Sequence, residues 1–90
     1  MSENRFGESP VSADSNWQVQ ALTTDDRILP EYSVRTEHLL TVWYPRISHY
    51  WMNQVMNCSV GNSVEGNLAT HLHHEEQNLT VKAIKVTRLS

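Results

Sequence analysis

Trp43-Tyr44-Pro45-Arg46-Ile47-Ser48-His49-Tyr50-Trp51 is the stretch on which the fold turns, because it holds two of the three tryptophans and two of the three tyrosines. It can be read in two ways. Folded as a hairpin about Ile47, it sets Tyr44 against Tyr50 and Trp43 against Trp51 across two antiparallel strands. Leu40, Val42, Tyr44, Tyr50 and Met52 then share one sheet face, and Leu39, Trp43, Trp51 and Val55 the other. Both faces carry apolar weight on this reading, and one short helix covers only one of them.

The alternative starts from spacing. Leu39, Trp43, Ile47, Tyr50, Trp51 and Val55 recur at three- and four-residue steps, which is helical periodicity. Pro45 forbids a single continuous helix, but it suits the first turn of one running from Pro45 to Asn57. The hairpin is the main expectation and the second helix its alternative.

Outward from the block, His38-Leu39-Leu40-Thr41-Val42-Trp43-Tyr44 is rich in β-branched and aromatic residues and stops at Pro45, so it reads as a strand. Trp17-Gln18-Val19-Gln20-Ala21 alternates strictly and reads as a half-buried strand. Thr23 to Asp26 is a turn, and Ile28-Leu29-Pro30-Glu31-Tyr32 a connector in which Pro30 favours extended backbone. From Asn62 the pattern changes. Asn62 with Glu65 three residues on forms a capping-box arrangement, and Val64, Leu68 and Leu72 follow at four-residue spacing, predicting a helix from Ser63 to His74 that Gly66 weakens. Leu79 to Arg88 is a closing strand. The predicted class is α+β: a small, mostly antiparallel sheet of about four strands with one helix in the C-terminal half packed on one face.

Ninety residues hold one domain with a modest core. Residues 1–15 carry little beyond Phe6 and Val11 to bury and are expected to be a flexible tail, leaving 16–90 as the domain. A formal net charge of −3 opposes the general phosphate attraction behind nucleic-acid binding. No apolar run reaches the length of a membrane span, and Met1 to Arg5 lacks the layout of a secretory signal. A single cysteine, Cys58, makes no internal disulfide and fits a reducing compartment, so the expected address is the cytoplasm.

Chemistry-bearing motifs are scarce. There is no Gly-rich phosphate loop, no G-x-S-x-G and no C-x-x-C. Cys58 reads as a small buried hydrophobe rather than a nucleophile. His71-Leu72-His73-His74-Glu75-Glu76 is the one stretch resembling a metal site: on a helix, His71, His74 and Glu75 meet on one side and would suit zinc. The residue after His71 is leucine, so the general-base glutamate of an H-E-x-x-H helix is missing.

The expected function is a non-enzymatic protein-binding domain without a cofactor. It would dock onto a protein partner or onto itself through an aromatic surface made by Leu39, Trp43, Arg46, Trp51 and Val55. Compact acidic domains of this class serve as adaptors or as inhibitors of larger proteins, phage-encoded inhibitors of host machinery among them. The rivals are a metal-binding or metal-sensing protein built on His71, His74 and Glu75, and single-stranded nucleic-acid binding with Trp43, Tyr44, Tyr50 and Trp51 stacking beside Arg35, Arg46 and Lys82.

Overall fold

The computed structural model describes residues 10–74 and 76–90, the side chain of His74 excepted. In chain order the elements are strand β1 (Asn16–Thr23), strand β2 (Tyr32–Arg35), helix α1 (Thr36–Val42), a 3-10 turn (Tyr44–Arg46), helix α2 (His49–Met56), and the long strands β3 (Ser63–His74) and β4 (Gln77–Arg88). The four strands form one antiparallel sheet in the order β2-β1-β4-β3. This is a small α+β fold, as the composition of elements predicted.

The two faces of the sheet follow from alternation. Along β1, Trp17, Val19, Ala21 and Thr23 are buried. Their register partners on β4 are Arg88, Val86, Ile84 and Val81, all buried. Lys82 is the extra residue of a bulge, since Leu22 faces Ala83 whereas Thr23 faces Val81. On β3, Val64 faces Val86 and Gly66 faces Ile84. The core gathers this face together with Leu39, Trp43, Trp51, Met52, Val55 and Cys58. Both helices therefore contribute to one face, and the opposite face is open.

The aromatic block is helical. Helical spacing prevails over the hairpin because it turns Leu39, Trp43, Trp51 and Val55 onto the sheet at once, with Leu39, Trp43 and Val55 wholly buried and Trp51 3% exposed. Each such tryptophan removes roughly 150–250 Å² from water, about 4–6 kcal/mol of transfer free energy before entropy is charged. Pro45 lies in the first turn of the 3-10 segment, where its missing N–H costs nothing, and the chain restarts as α2 at Ser48. The Ser48 hydroxyl accepts the Trp51 N–H at 3.2 Å as the N-cap. The helix expected from Pro45 to Asn57 is thus realised as His49–Met56, and the strand expected from His38 to Tyr44 is α1.

Ser63 to His74 is a strand rather than the predicted helix. Positions 64, 66, 68, 70 and 72 are half-buried and the odd positions between them exposed, an unbroken period of two. Beyond Thr80 the β3–β4 hairpin runs past the rest of the sheet, which helps stretch the molecule to 47 × 22 × 20 Å.

Of the stretch expected to be a tail, residues 10–15 are described. Residues 10–15 form a turn in which the Ser12 and Ser15 N–H groups bond to Ser15 Oγ and the Ser12 carbonyl. The remainder, 1–9, lies outside the described residues.

Candidate functional site

The residues expected to make an aromatic docking surface are mostly interior. Leu39, Trp43, Trp51 and Val55 are core, and only Arg46 of that set is exposed, its guanidinium bonded to the Val42 carbonyl. The correction follows from the secondary structure: two short helices present one apolar stripe each, and both stripes face the sheet. Stacking on bases by four aromatic rings loses its geometry for the same reason, since two of the four rings are buried and Tyr44 is half-buried.

The histidine trio also rested on a helix. Ser63–His74 is a strand, so the helical steps from His71 on which that reading rested are absent from it. His71 Nδ1 pairs with Thr80 Oγ1 at 3.1 Å, and His73 Nδ1 with Asn78 Oδ1 at 3.1 Å, both across the hairpin. The His74 side chain and Glu75 lie outside the described residues. Among the described residues no three His, Cys, Asp or Glu side chains gather as a metal site. Cys58 is buried, its thiol donating to the Asn62 carbonyl at 3.3 Å, and desolvation pushes its pKa up. That is the reverse of an activated nucleophile.

What the structure brings together instead is an edge. β3 is the last strand of the sheet, and among the described residues no strand pairs with its outer side over twelve residues. Sheet edges are ordinarily protected by lysine, proline, a bulge or shortness, and of these β3 carries a register shift against β4 between Asn67 and Thr70. Ser63–His74 contains no lysine and no proline, and Glu65 is its one formal charge.

Beside this edge runs a cleft of about 180 Å³ between the start of α2 and β3, lined by Ile47, Ser48, Tyr50, Gln54, Glu65 and Asn67 and floored by Trp51 on Gly66. Tyr50 is 73% exposed, the most exposed large apolar side chain among the described residues. The indole N–H of Trp51 is buried there with no acceptor among the described residues.

The open face of the sheet is polar by comparison. Gln18 and Gln20 both donate to the Glu31 carboxylate at 2.6 Å, and a shallow depression holds Leu22, exposed Ile28 and Ala83 between Gln20, Glu65 and Lys85. Between the 3-10 turn and the start of α2, Tyr44 Oη lies 2.6 Å from His49 Nδ1 with the rings edge to face.

Two features escaped the sequence. The β3 edge was hidden by reading its residues as a helix. Arg88 was read only as the last residue of the closing strand, yet it is buried, donating to the carbonyls of Cys58 (2.9 Å), Ser90 (2.8 Å) and Pro10 (3.2 Å). The signal for it was present: Ile84, Val86 and Arg88 share one face by alternation.

Fold and edge together define a class, a small α+β domain with helices on one sheet face and an unpaired strand. No family model, curated protein or solved structure matches the chain. Among the described residues no helix is long and apolar enough to cross a membrane.

Proposed function

We propose that the chain is a small non-enzymatic protein-binding domain, an adaptor or an inhibitor of a larger protein, that docks by adding a strand to the outer edge of β3. The observation that carries this reading is that edge: a twelve-residue strand without lysine or proline, half-buried and exposed in alternation up to His73, next to a cleft with Tyr50 exposed at its rim. Strand addition draws affinity from main-chain hydrogen bonds and specificity from side-chain pockets beside the edge. Here the edge supplies the first and the α2–β3 cleft the second. A cytoplasmic setting belongs to this reading, since the one thiol is reduced and buried.

Site-specific photocrosslinking tests it. A photoreactive residue at Ala69, exposed on β3, is expected to capture protein in cells that make the full chain. The same group at Glu37, exposed on α1, serves as the control. Equal yields at the two positions would remove the edge as the docking site.

A further inference from the structure

Resting on the docking reading, we infer that the occupant of the edge is a second copy of the chain, with β3 pairing antiparallel to its own equivalent about a twofold axis at Leu68 to make a continuous eight-stranded sheet. The parity of the strand admits it. An antiparallel pair places directly opposed residues on the same face. Any self-pairing must therefore oppose even positions to even and odd to odd.

Among such registers, the one centred on Leu68 fits the side chains on both faces. On the helix-covered face it sets Val64 against Leu72 of the partner subunit, Gly66 against Thr70 of the partner subunit, and the two Leu68 side chains against each other. Val64, Leu68 and Leu72 are all half-buried in the single chain and would gain cover. On the open face it sets Glu65 against His71 of the partner subunit. The Nδ1 of His71 pairs with Thr80 Oγ1, and in the tautomer where Thr80 is the donor the Nε2 N–H is left to donate to a carboxylate. Both chains supply this contact, so a single sequence gives two charge-assisted pairs.

Neighbouring registers do worse. Centring on Asn67 opposes Glu65 to Ala69, and centring on Ala69 opposes Leu68 to Thr70 and Gly66 to Leu72. Centring on Ala69 also brings Glu65 to an imidazole, that of His73 of the partner subunit, but only at Leu68 do Val64, Leu68 and Leu72 meet one another while the carboxylate meets an imidazole.

β3 has its own register shift against β4 between Asn67 and Thr70, where Leu68 and Ala69 stand opposite Lys82 alone, yet exposure alternates residue by residue through that stretch, so the side-chain faces on which the pairing depends are kept. A strand seated on the edge also passes below Tyr50 and Gln54, which border the cleft at Gly66. The shape and the charge therefore point to the same occupant.

Sedimentation velocity on the purified full chain, in a dilution series from micromolar upward, is the test. The expected species has twice the 10.4 kDa mass of the chain. Glu65→Lys alone and His71→Glu alone are each expected to weaken the dimer about tenfold. Combined, they restore it, because Lys and Glu then face each other across the axis. Folding of each variant is checked by circular dichroism.

Disulfide trapping gives a readout independent of charge. In a Cys58→Ala background, Leu68→Cys is expected to oxidise to a covalent dimer far faster than Asn53→Cys on the outer side of α2. A chain that stays monomeric at all concentrations overturns the inference. So does a dimer indifferent to the charge changes that also crosslinks equally at 53 and 68. If the purified chain is monomeric while Ala69 still captures another protein in cells, self-pairing fails and the docking reading stands. If neither occurs, both fail.

Discussion

The indole of Trp51 lies directly on Gly66: a Cβ at that glycine would stand 2.6 Å from Trp51 Cδ1 and 2.7 Å from its Nε1. α2 therefore packs on β3 at a distance that only a residue without a side chain allows. Gly66→Ala forces the ring or the strand to shift, and overpacking of this kind costs about 1–3 kcal/mol. Urea denaturation followed by tryptophan fluorescence measures it. The loss should shrink when Trp51 is replaced by leucine; an equal loss in both backgrounds would place the cause in the strand and not in the contact.

Trp17 Nε1 donates to Thr36 Oγ1 at 2.8 Å in the core, tying β1 to the start of α1. Thr36→Val keeps the shape and leaves the indole N–H buried without an acceptor, at about 1–3 kcal/mol. Thr36→Ser keeps the acceptor and should retain most of the stability. A thermal denaturation series of the three proteins separates the hydrogen bond from the lost methyl group.

Arg88 holds three chain segments through three carbonyls, those of Pro10, Cys58 and Ser90. A lysine cannot fork, so Arg88→Lys loses at least one of these bonds, worth about 1.5–3 kcal/mol each with a charged donor. Amide exchange should rise around residues 10–15 and 58–62 before it rises in the centre of β4. Uniform exchange across the chain would instead mean that Arg88 supports global stability alone.

The Cys58 thiol is pushed up from its ordinary value of 9.0, first by desolvation. A raised acid pKa means that the folded state binds the proton more tightly, so stability is unaffected below that ordinary value and falls as pH rises past it. At pH 8 the native thiol should react with an aromatic disulfide reagent far more slowly than in urea. Equal rates would show that the site opens freely.

Asp25 is displaced the other way. Its carboxyl is held below its ordinary 3.8, first by the Thr23 hydroxyl and then by Arg27, whose Nε lies 3.1 Å away. A depressed carboxyl contributes stability above the unfolded value and loses it as pH falls through the folded one. Asp25→Asn should therefore be less stable than the native chain at pH 7 and equal to it well below pH 3.8. Because the pair is exposed, the difference is small and shrinks in salt.

The two errors in the sequence reading have different physical sources. Val64, Leu68 and Leu72 are four apart, and four is both near one helical turn and twice the strand period, so three points do not separate the two. Asn62 and Glu65 then tipped the reading towards a helix by a local cap signal worth only about 1 kcal/mol. Pairing with β4 along β3 on both sides of the register shift at Asn67/Thr70 outweighs that. In the aromatic block, conversely, steps of three and four do discriminate, because three is odd and breaks strand alternation. Leu39, Trp43, Ile47, Tyr50 and Trp51 contained the answer that the mirror symmetry of Trp43 and Trp51 concealed.

By itself, the sequence determined the α+β class, the alternation of β1, the turn after Thr23 and the closing strand β4, because these depend on local periodicity and turn chemistry. It also named the side chains that would have to be buried. Only the tertiary structure decided where they went. Whether Trp43 and Trp51 form a surface or a core depends on which element covers the sheet, and burying both against β1, β4 and Gly66 removes far more apolar area from water than a hairpin exposing them could. The same decision, taken by long-range pairing rather than by local propensity, left β3 at the edge and so moved the candidate site from the tryptophans to the strand beneath them.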